Sequence, residues 1–436
     1  MNVKDLKGQT IAFAASGGLD SCTITHWLTE NGVKVVAFTA DLAQPDETDF
    51  GSIEKRMRAC GAVDFVAVPL QKEMAAIGIE GIQAQICYEG RYWNTTPLGR
   101  VVTTSGIVPA MKKKGISVFS HGATGRGNDQ VRFQLITNML EPGFNVYAPW
   151  RDETFLNRFG GRLQMIEYCE QHGLPIKASR EKPYSTDANL LGLTHEAGKL
   201  ESLETPAHFV TPEMGVWPEN APEKAEEFTV RFEKGWPVSV NGKKVDALQA
   251  MLTANEIGGK HAIGIGLHLV ESRFVGIKSR GIYEAPGMEL LGTCYMFLLQ
   301  LVLDRRAREM FDNMSLLLAK QLYQGYWYDV ASRMAREAIG QTADLVTGTV
   351  TVSLYKGNVA YVSTKDVPHS LFSNDSSMEA EGGFDHKDSE GFLGVLGVHA
   401  RVIAHAGQTK GNKNGTPAHG VDGVPGWNGA LDNGTD

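Results

Sequence analysis

The chain has 436 residues, 42% of them hydrophobic and 21% charged, with a net charge of −8. That length supports a sizeable core and more than one domain, while the acidic balance argues against a nucleic-acid partner, which normally leaves a basic footprint. Five cysteines, scattered at Cys22, Cys60, Cys87, Cys169 and Cys294, form no disulfide framework or zinc knuckle. No run approaches the ~18 apolar residues of a membrane span, and the opening "MNVKDLKGQT" lacks a signal-peptide core, so a cytoplasmic protein is expected.

Residues 1–150 alternate in the manner of a doubly wound, mostly parallel α/β sheet. "TIAFAAS" (Thr10 to Ser16) reads as a buried strand and "LDSCTITHWLTENG" (Leu19 to Gly32) as a helix ending on a glycine. "VKVVAFTADL", "AVDFVAVPL" and "ISVFSHG" supply further strands, with helices between them through Cys60, over "KEMAAIGIEGIQAQI" and up to about Lys114. Such a sheet binds its ligand at the carboxyl ends of the strands, where "SGG" and "SHGATG" fall. From about residue 180 the texture changes to a second, α+β domain. "EEFTVRFEKGWPVSVNGKKV" reads as a hairpin with a turn signal at Asn241-Gly242, and "TGTVTVSLYKGNVAYVST" as two strands about a "KGN" turn. A helical tract runs between them from Met288 to Arg336, and its strongly apolar "ELLGTCYMFLLQLVLD" belongs to core or a subunit interface. The Gly- and Asn-rich tail from Ala406 is expected to be disordered or draped on a partner.

The loop "AASGGLDSC" carries the first chemistry. A strand, then S-G-G-x-D-S, then a helix sets several backbone N–H groups at a helix N-terminus, a nest for phosphate. The glycines let the backbone approach, Ser16 and Ser21 add hydroxyl donors, and Asp20 serves as a cap or helps hold magnesium. Neither the Walker G-x-x-x-x-G-K-[ST] pattern nor G-x-G-x-x-G describes it. The plain alternative is a tight strand-to-helix turn. "GATGRGND" supplies a second cluster, with backbone donors near Gly122, the Thr124 hydroxyl, the Asn128 amide and the Asp129 carboxylate. Arg132, four residues beyond Asn128, shares its face if the segment is helical. No H-E-x-x-H or comparable ligand spacing occurs, so no protein metal centre is expected, and His121 and His195 read as ordinary polar or core residues.

The loop resembles the pyrophosphate-binding loop of the N-type ATP pyrophosphatases, which cleave ATP between the α and β phosphates. "RYWNTTPLGR", "HGATGRGNDQVRF", "YSTDANLLGLTHEA" and "KSRGIYEAPG" resemble the argininosuccinate synthase family in order and spacing. With "TADLAQPDE" and "EFTVRFEKGWPVSVNGK" the resemblance covers most of residues 8–365. It implies an ATP-binding domain over 1–180, a synthetase and oligomerisation domain over 181–375 and a C-terminal arm over 376–436, assembled as a homotetramer. It also implies ATP-dependent ligation of citrulline and aspartate through a citrulline-adenylate, with Mg2+ on the phosphates.

By the same resemblance the nucleotide is implied to meet Ala14, Ala15, Ser16, Gly17, Gly18, Leu19, Asp20, Ser21 and Cys22. Ala40 lies on the adenine side, and Gly122, Thr124, Asp129 and Asp187 complete the ATP set. Citrulline is implied at Tyr92, Asn128, Arg132, Ser185, Thr194, Glu196, Glu271 and Tyr283, and aspartate at Thr96, Thr124, Asn128 and Asp129. Asp129, Asp20 and Arg132 are the residues expected to serve catalysis. The family loop commonly has Thr-Ser after the aspartate where this chain has Ser21-Cys22, so one hydroxyl becomes a thiol, a weaker donor. The alternatives are a tRNA thiolase or other adenylating ligase of the superfamily, or a non-catalytic nucleotide-binding protein.

Overall fold

A computed structural model describes residues 1–45, 47–176, 183–377, 383 and 385–409. The first elements alternate as expected: β1 (Thr10–Ala14), α1 (Leu19–Glu30), β2 (Lys34–Asp41), α2 (Phe50–Ala59), β3 (Asp64–Pro69) and α3 (Gln71–Gln83). There follow α4 (Thr95–Lys113), β4 (Val118–His121), α5 (Asp129–Leu140), β5 (Asn145–Tyr147), α6 (Glu153–Arg158) and α7 (Arg162–Gln171). The five strands form one parallel sheet in the order β3-β2-β1-β4-β5. Ile11, Ala12 and Phe13 of β1 are fully buried, as a strand with helices on both faces requires. The chain leaves β1 toward β2 on one side and returns as β4 on the other, so the topological switch point lies between β1 and β4.

The next elements are β6 (Ser185–Asn189), β7 (Gly192–Glu196), β8 (Glu226–Glu233), β9 (Trp236–Val240), β10 (Lys243–Lys244), α8 (Ala247–Lys260), β11 (Leu267–Ser272) and β12 (Lys278–Glu284). After them come α9 (Pro286–Val302), α10 (Arg305–Gln324), α11 (Val330–Ala343), β13 (Gly348–Tyr355), β14 (Asn358–Lys365) and α12 (His386–His405). Two antiparallel sheets result, β11-β12-β7-β6 and β10-β9-β8-β13-β14. The β8–β9 turn is Lys234-Gly235, whose φ values of 48° and 80° suit a two-residue hairpin, whereas Asn241-Gly242 joins β9 to the short β10. The expected helical tract is three helices. Asp304 caps the start of α10 by accepting from the N–H groups of Arg306 and Ala307, and Gly325 at φ 92° ends it.

The apolar tract of α9 is core: Leu290, Leu291, Cys294, Tyr295, Leu298 and Leu299 are fully buried. They share one hydrophobic cluster with Leu70 and Ile79 from the start of the chain, so the two halves are built on a common interior. Residues 1–369 make up one compact unit and residues 370–436 a second. The expected boundary at 180–181 falls in 177–182, outside the described residues, as does the tail over 410–436. The second unit contains α12, which the sequence pattern left unassigned; none of its side chains is buried. No helix among the described residues is long and apolar enough to cross a membrane.

Candidate functional site

Both glycine-bearing loops leave the carboxyl ends of neighbouring strands, where Ala14 of β1 lies opposite His121 of β4. After β1 the chain turns sharply at Gly17, whose φ is +73°. A Cβ there would also lie 3.0 Å from Arg56 Nη2 and from the Ile53 side chain, so the position suits glycine on both counts. The Ser16 N–H donates to Ser21 Oγ at 3.0 Å, which ties the loop to the first turn of α1. Gly18 is the helix N-cap and, having no side chain, makes no cap bond, while its N–H donates to Ser16 Oγ at 3.4 Å. Asp20 stands beside it: Trp150 Nε1 donates to its carboxylate at 3.2 Å, and burial raises its pKa against the opposing pull of Arg162. Across the switch point, the position a Gly122 Cβ would take is 3.5 Å from Asp20 Cβ.

Other loop residues face inward. Ala15 is paired to β2 through both its N–H, to Phe38 O, and its carbonyl, from Thr39 Oγ1. Leu19 and Cys22 lie in the hydrophobic cluster beneath the loop. The Cys22 thiol is fully buried and donates to Gly17 O at 3.8 Å, so the side chain that replaces the usual hydroxyl is turned away from the mouth. Ala40 sits at the end of β2 next to β1, its carbonyl accepting from Gln44 at 3.4 Å.

The second cluster begins at α5. Asn128 is its N-cap, and Asp129 and Arg132 form an ion pair of 2.7 Å across one turn. Arg100, from α4, donates to Asp129 Oδ2 through both Nε at 3.0 Å and Nη2 at 2.8 Å, and Nη2 also reaches Asp187 Oδ2 at 2.6 Å. Burial alone would raise the Asp129 pKa, but Arg100 and Arg132 more than offset it and hold the carboxyl well below the usual range. Arg132 also donates to the Tyr323 carbonyl at 2.9 Å and lies 4.9 Å from that ring's centroid. Asn128 is engaged at both ends, donating to Tyr323 Oη at 2.8 Å and accepting from the Phe274 N–H at 3.0 Å.

The sheet β11-β12-β7-β6 closes the cleft through its alternate residues. In register, Asp187 faces Thr194, which faces Tyr283; one step along, Ser185 faces Glu196, which faces Gly281. Gly281 has a reason to be glycine, because a Cβ there would lie 2.6 Å from Tyr283 Oη. The tyrosine thus reaches across it to donate to Glu271 Oε1 at 2.7 Å. Thr96, in the first turn of α4, joins the groups: its hydroxyl donates to Asp187 at 3.2 Å and meets Thr194 Oγ1 at 3.3 Å, while its N–H donates to Tyr92 Oη at 3.1 Å. Tyr92 and Tyr283 pack with ring centroids 4.3 Å apart. The Glu196 carboxyl opens to the water of the cleft, yet protein walls enclose it, and the loss of bulk solvation followed by repulsion from Asp129, Asp187 and Glu271 pushes its pKa up to about 7.

A chain of contacts therefore runs from the second cluster to the far wall: Asp129, Arg100, Asp187, Thr96, Tyr92, Tyr283, Glu271. Thr124 and Ser185 are exposed beside it. His121 and His195 are core residues, 1% and 0% exposed; His195 pairs with Glu284 at 2.5 Å, and burial takes the His121 pKa down to about 3. A cavity of about 560 Å³ lined by Val68, Ile77, Val102 and Trp327 holds none of the site residues.

Sequence reasoning missed Arg100 and Tyr323. Arg100 is four residues after Thr96, so helical spacing on α4 was the signal that would have found it. Tyr323 comes from α10, 195 positions after Asn128, and nothing local marks it.

Comparison with known proteins accords with this arrangement. Residues 10–175 match the "Arginosuccinate synthase N-terminal HUP domain" and residues 184–403 the "Arginosuccinate synthase C-terminal domain". An argininosuccinate synthase of Rhodopirellula baltica is 40% identical over 399 residues, covering 90% of this chain and 98% of that protein. One of Thermotoga maritima is 38% identical over 404 residues, covering 90% and 97%. With both domain matches in sequence and near-complete coverage of such relatives, the chain belongs to the argininosuccinate synthase family, a family of ATP-using ligases.

Proposed function

We propose that this chain joins citrulline to aspartate through a citrulline-adenylate, with the residues above in the roles that the family resemblance implies. The ureido oxygen of citrulline attacks the α-phosphorus of ATP, and pyrophosphate leaves into the nest formed by Ser16, Gly17, Gly18 and Ser21. The α-amino nitrogen of aspartate then attacks the activated carbon, and AMP departs with the former ureido oxygen. No side chain forms a covalent bond to substrate, so positioning and charge complementarity carry the rate. Tyr92, Asn128, Arg132, Ser185, Thr194, Glu196, Glu271 and Tyr283 surround citrulline; Thr96, Thr124, Asn128 and Asp129 orient aspartate; Ala40, Gly122, Thr124, Asp129 and Asp187 line the nucleotide. The observation that carries the reading is the Arg100–Asp129–Arg132 network, centred on the segment that follows β4, beside the glycine loop that follows β1, where Ala14 lies opposite His121. Magnesium would shield the phosphates, and Asp20 suits it, since its carboxylate is raised by burial and would regain its charge beside a cation.

A homotetramer and a cytoplasmic setting complete the proposal. The five cysteines are all free, which suits a reducing compartment. Exposed Phe392, Val395, Leu396 and Val402 on α12 offer an apolar surface for association. The deciding assay measures AMP and pyrophosphate from ATP, citrulline and aspartate. Release is expected only with citrulline present, and AMP release only with aspartate added as well; equal AMP release without citrulline would overturn the reading.

A further inference from the structure

Away from the cleft, α1 and α7 bring together two imidazoles and a carboxylate. His26 and Glu30 stand one turn apart on α1, and His172 caps the end of α7. One ligand atom from each lies within 4.8 Å of the other two. Glu30 Oε1 is 3.5 Å from His172 Nε2, and Glu30 Oε2 is 3.9 Å from His26 Nδ1. Ligand atoms of a tetrahedral zinc ion with bonds near 2.0–2.1 Å stand about 3.3 Å apart, so small side-chain rotations complete the geometry.

The surroundings favour a cation. His172 Nδ1 is 2.9 Å from the Tyr168 carbonyl, which fixes the N–H on that side and leaves Nε2 as the ligand. The Tyr168 hydroxyl donates to Glu30 Oε2, at 2.5 Å, and accepts from His26 Nδ1–H, at 2.7 Å, so it holds the group from behind and leaves Nε2 of His26 for a metal. Glu30 is the last residue of α1 and His172 the C-cap of α7, so the negative ends of two helix dipoles converge here. Arg158 opposes a cation, but its guanidinium lies over the Tyr168 ring at 4.9 Å, and one carboxylate with two helix ends faces it. Side-chain exposures of 22%, 42% and 28% for His26, Glu30 and His172 leave an entry path.

We propose that His26, Glu30 and His172 form a site for a divalent transition ion of the zinc class, clasping α1 to α7. Two histidines and one carboxylate are a zinc donor set with one position left open. Seven residues separate His26 from Leu19 at the start of α1, about 10 Å of helix, so the site is distinct from any ion on the phosphates. Its effect would be to stiffen the helix that carries the nucleotide loop. The sequence concealed it because His172 is remote in the chain from the His26-Glu30 pair.

The test is titration of the chelator-treated full-length protein with Zn2+ by calorimetry and with Co2+ by visible absorption, without nucleotide. One equivalent is expected, with a four- or five-coordinate cobalt spectrum and a metal-dependent rise in melting temperature. His172→Ala and Glu30→Gln, both at the surface, should each weaken binding by at least about tenfold and abolish the rise while retaining a cooperative melt. Absence of stoichiometric binding in the wild type, or binding unchanged in both variants, would overturn the proposal. Because ATP is absent, the outcome does not depend on the ligase reading.

Discussion

Asp129 is the residue on which the site's charge balance turns. Two guanidiniums hold it ionised, so Asp129→Asn would leave Arg100 and Arg132 facing a neutral amide and loosen both substrate walls. Turnover should fall on the order of 10²-fold while the folded state persists, as expected when a positioning group shifts without leaving. Steady-state AMP release beside a melting curve checks this, and unchanged turnover would remove Asp129 from the reaction. Glu196 gives a prediction with a definite sign. Its carboxyl keeps its proton to about 7, whereas a free carboxyl at 4.5 has already lost it, so between those values the unfolded chain releases a proton that the folded chain retains. Stability is therefore lost as pH rises through that window, and the cost persists above it. Glu196→Gln should melt higher than wild type at pH 8, with the advantage shrinking toward pH 5; a pH-independent difference would contradict the assignment. Asp129 acts in the other direction, since its depressed pKa adds stability at neutral pH that is lost as pH falls through the acid range.

Each element contributes by where it ends. The parallel strands deliver two loops to one switch point, α4 presents Thr96 and Arg100 one turn apart, and β7 alternates Thr194 and Glu196 into the cleft with His195 behind. Gly281 shows how finely β12 is set. Gly281→Ala would push a methyl into the space of the Tyr283 hydroxyl, breaking its bond to Glu271 at a cost of about 1–3 kcal/mol of overpacking. The expected result is a raised KM for citrulline and more than tenfold lower kcat/KM, with KM for ATP little changed; equal effects on both substrates would point to general distortion. The strand-to-helix alternation was legible because its pattern is local, whereas the helix that starts at Asp129 stood in the sequence only as a condition. Asn241-Gly242 does turn the chain, from β9 into β10, but the β8–β9 turn at Lys234-Gly235 carried no such signal and became visible only in the strand pairing.

At the scale of the molecule, one hydrophobic cluster spans both halves of residues 1–369, so the cleft walls from α4, α5 and α10 are fixed against a common interior. The second unit is different, since α12 holds no buried side chain and exposes Leu393 at 62% and Val395 at 73%. If this surface serves association, replacing Val395 and Leu396 with Asp should shift the full-length protein from the proposed tetramer to smaller species in sedimentation velocity. An unchanged tetramer would place the association elsewhere.

The sequence by itself determined the strand-to-helix alternation and the glycine loop after the first strand, because glycine turns and buried strands are short-range features. The cleft residues Tyr92, Ser185, Thr194, Glu196, Glu271 and Tyr283 were legible only through the family resemblance. The tertiary structure decided the rest. It turned Cys22 inward to the core, made Arg100 the bridge between Asp129 and Asp187, and brought Tyr323 to Asn128 across 195 residues. These are matters of side-chain direction and long-range packing, and no local pattern encodes them.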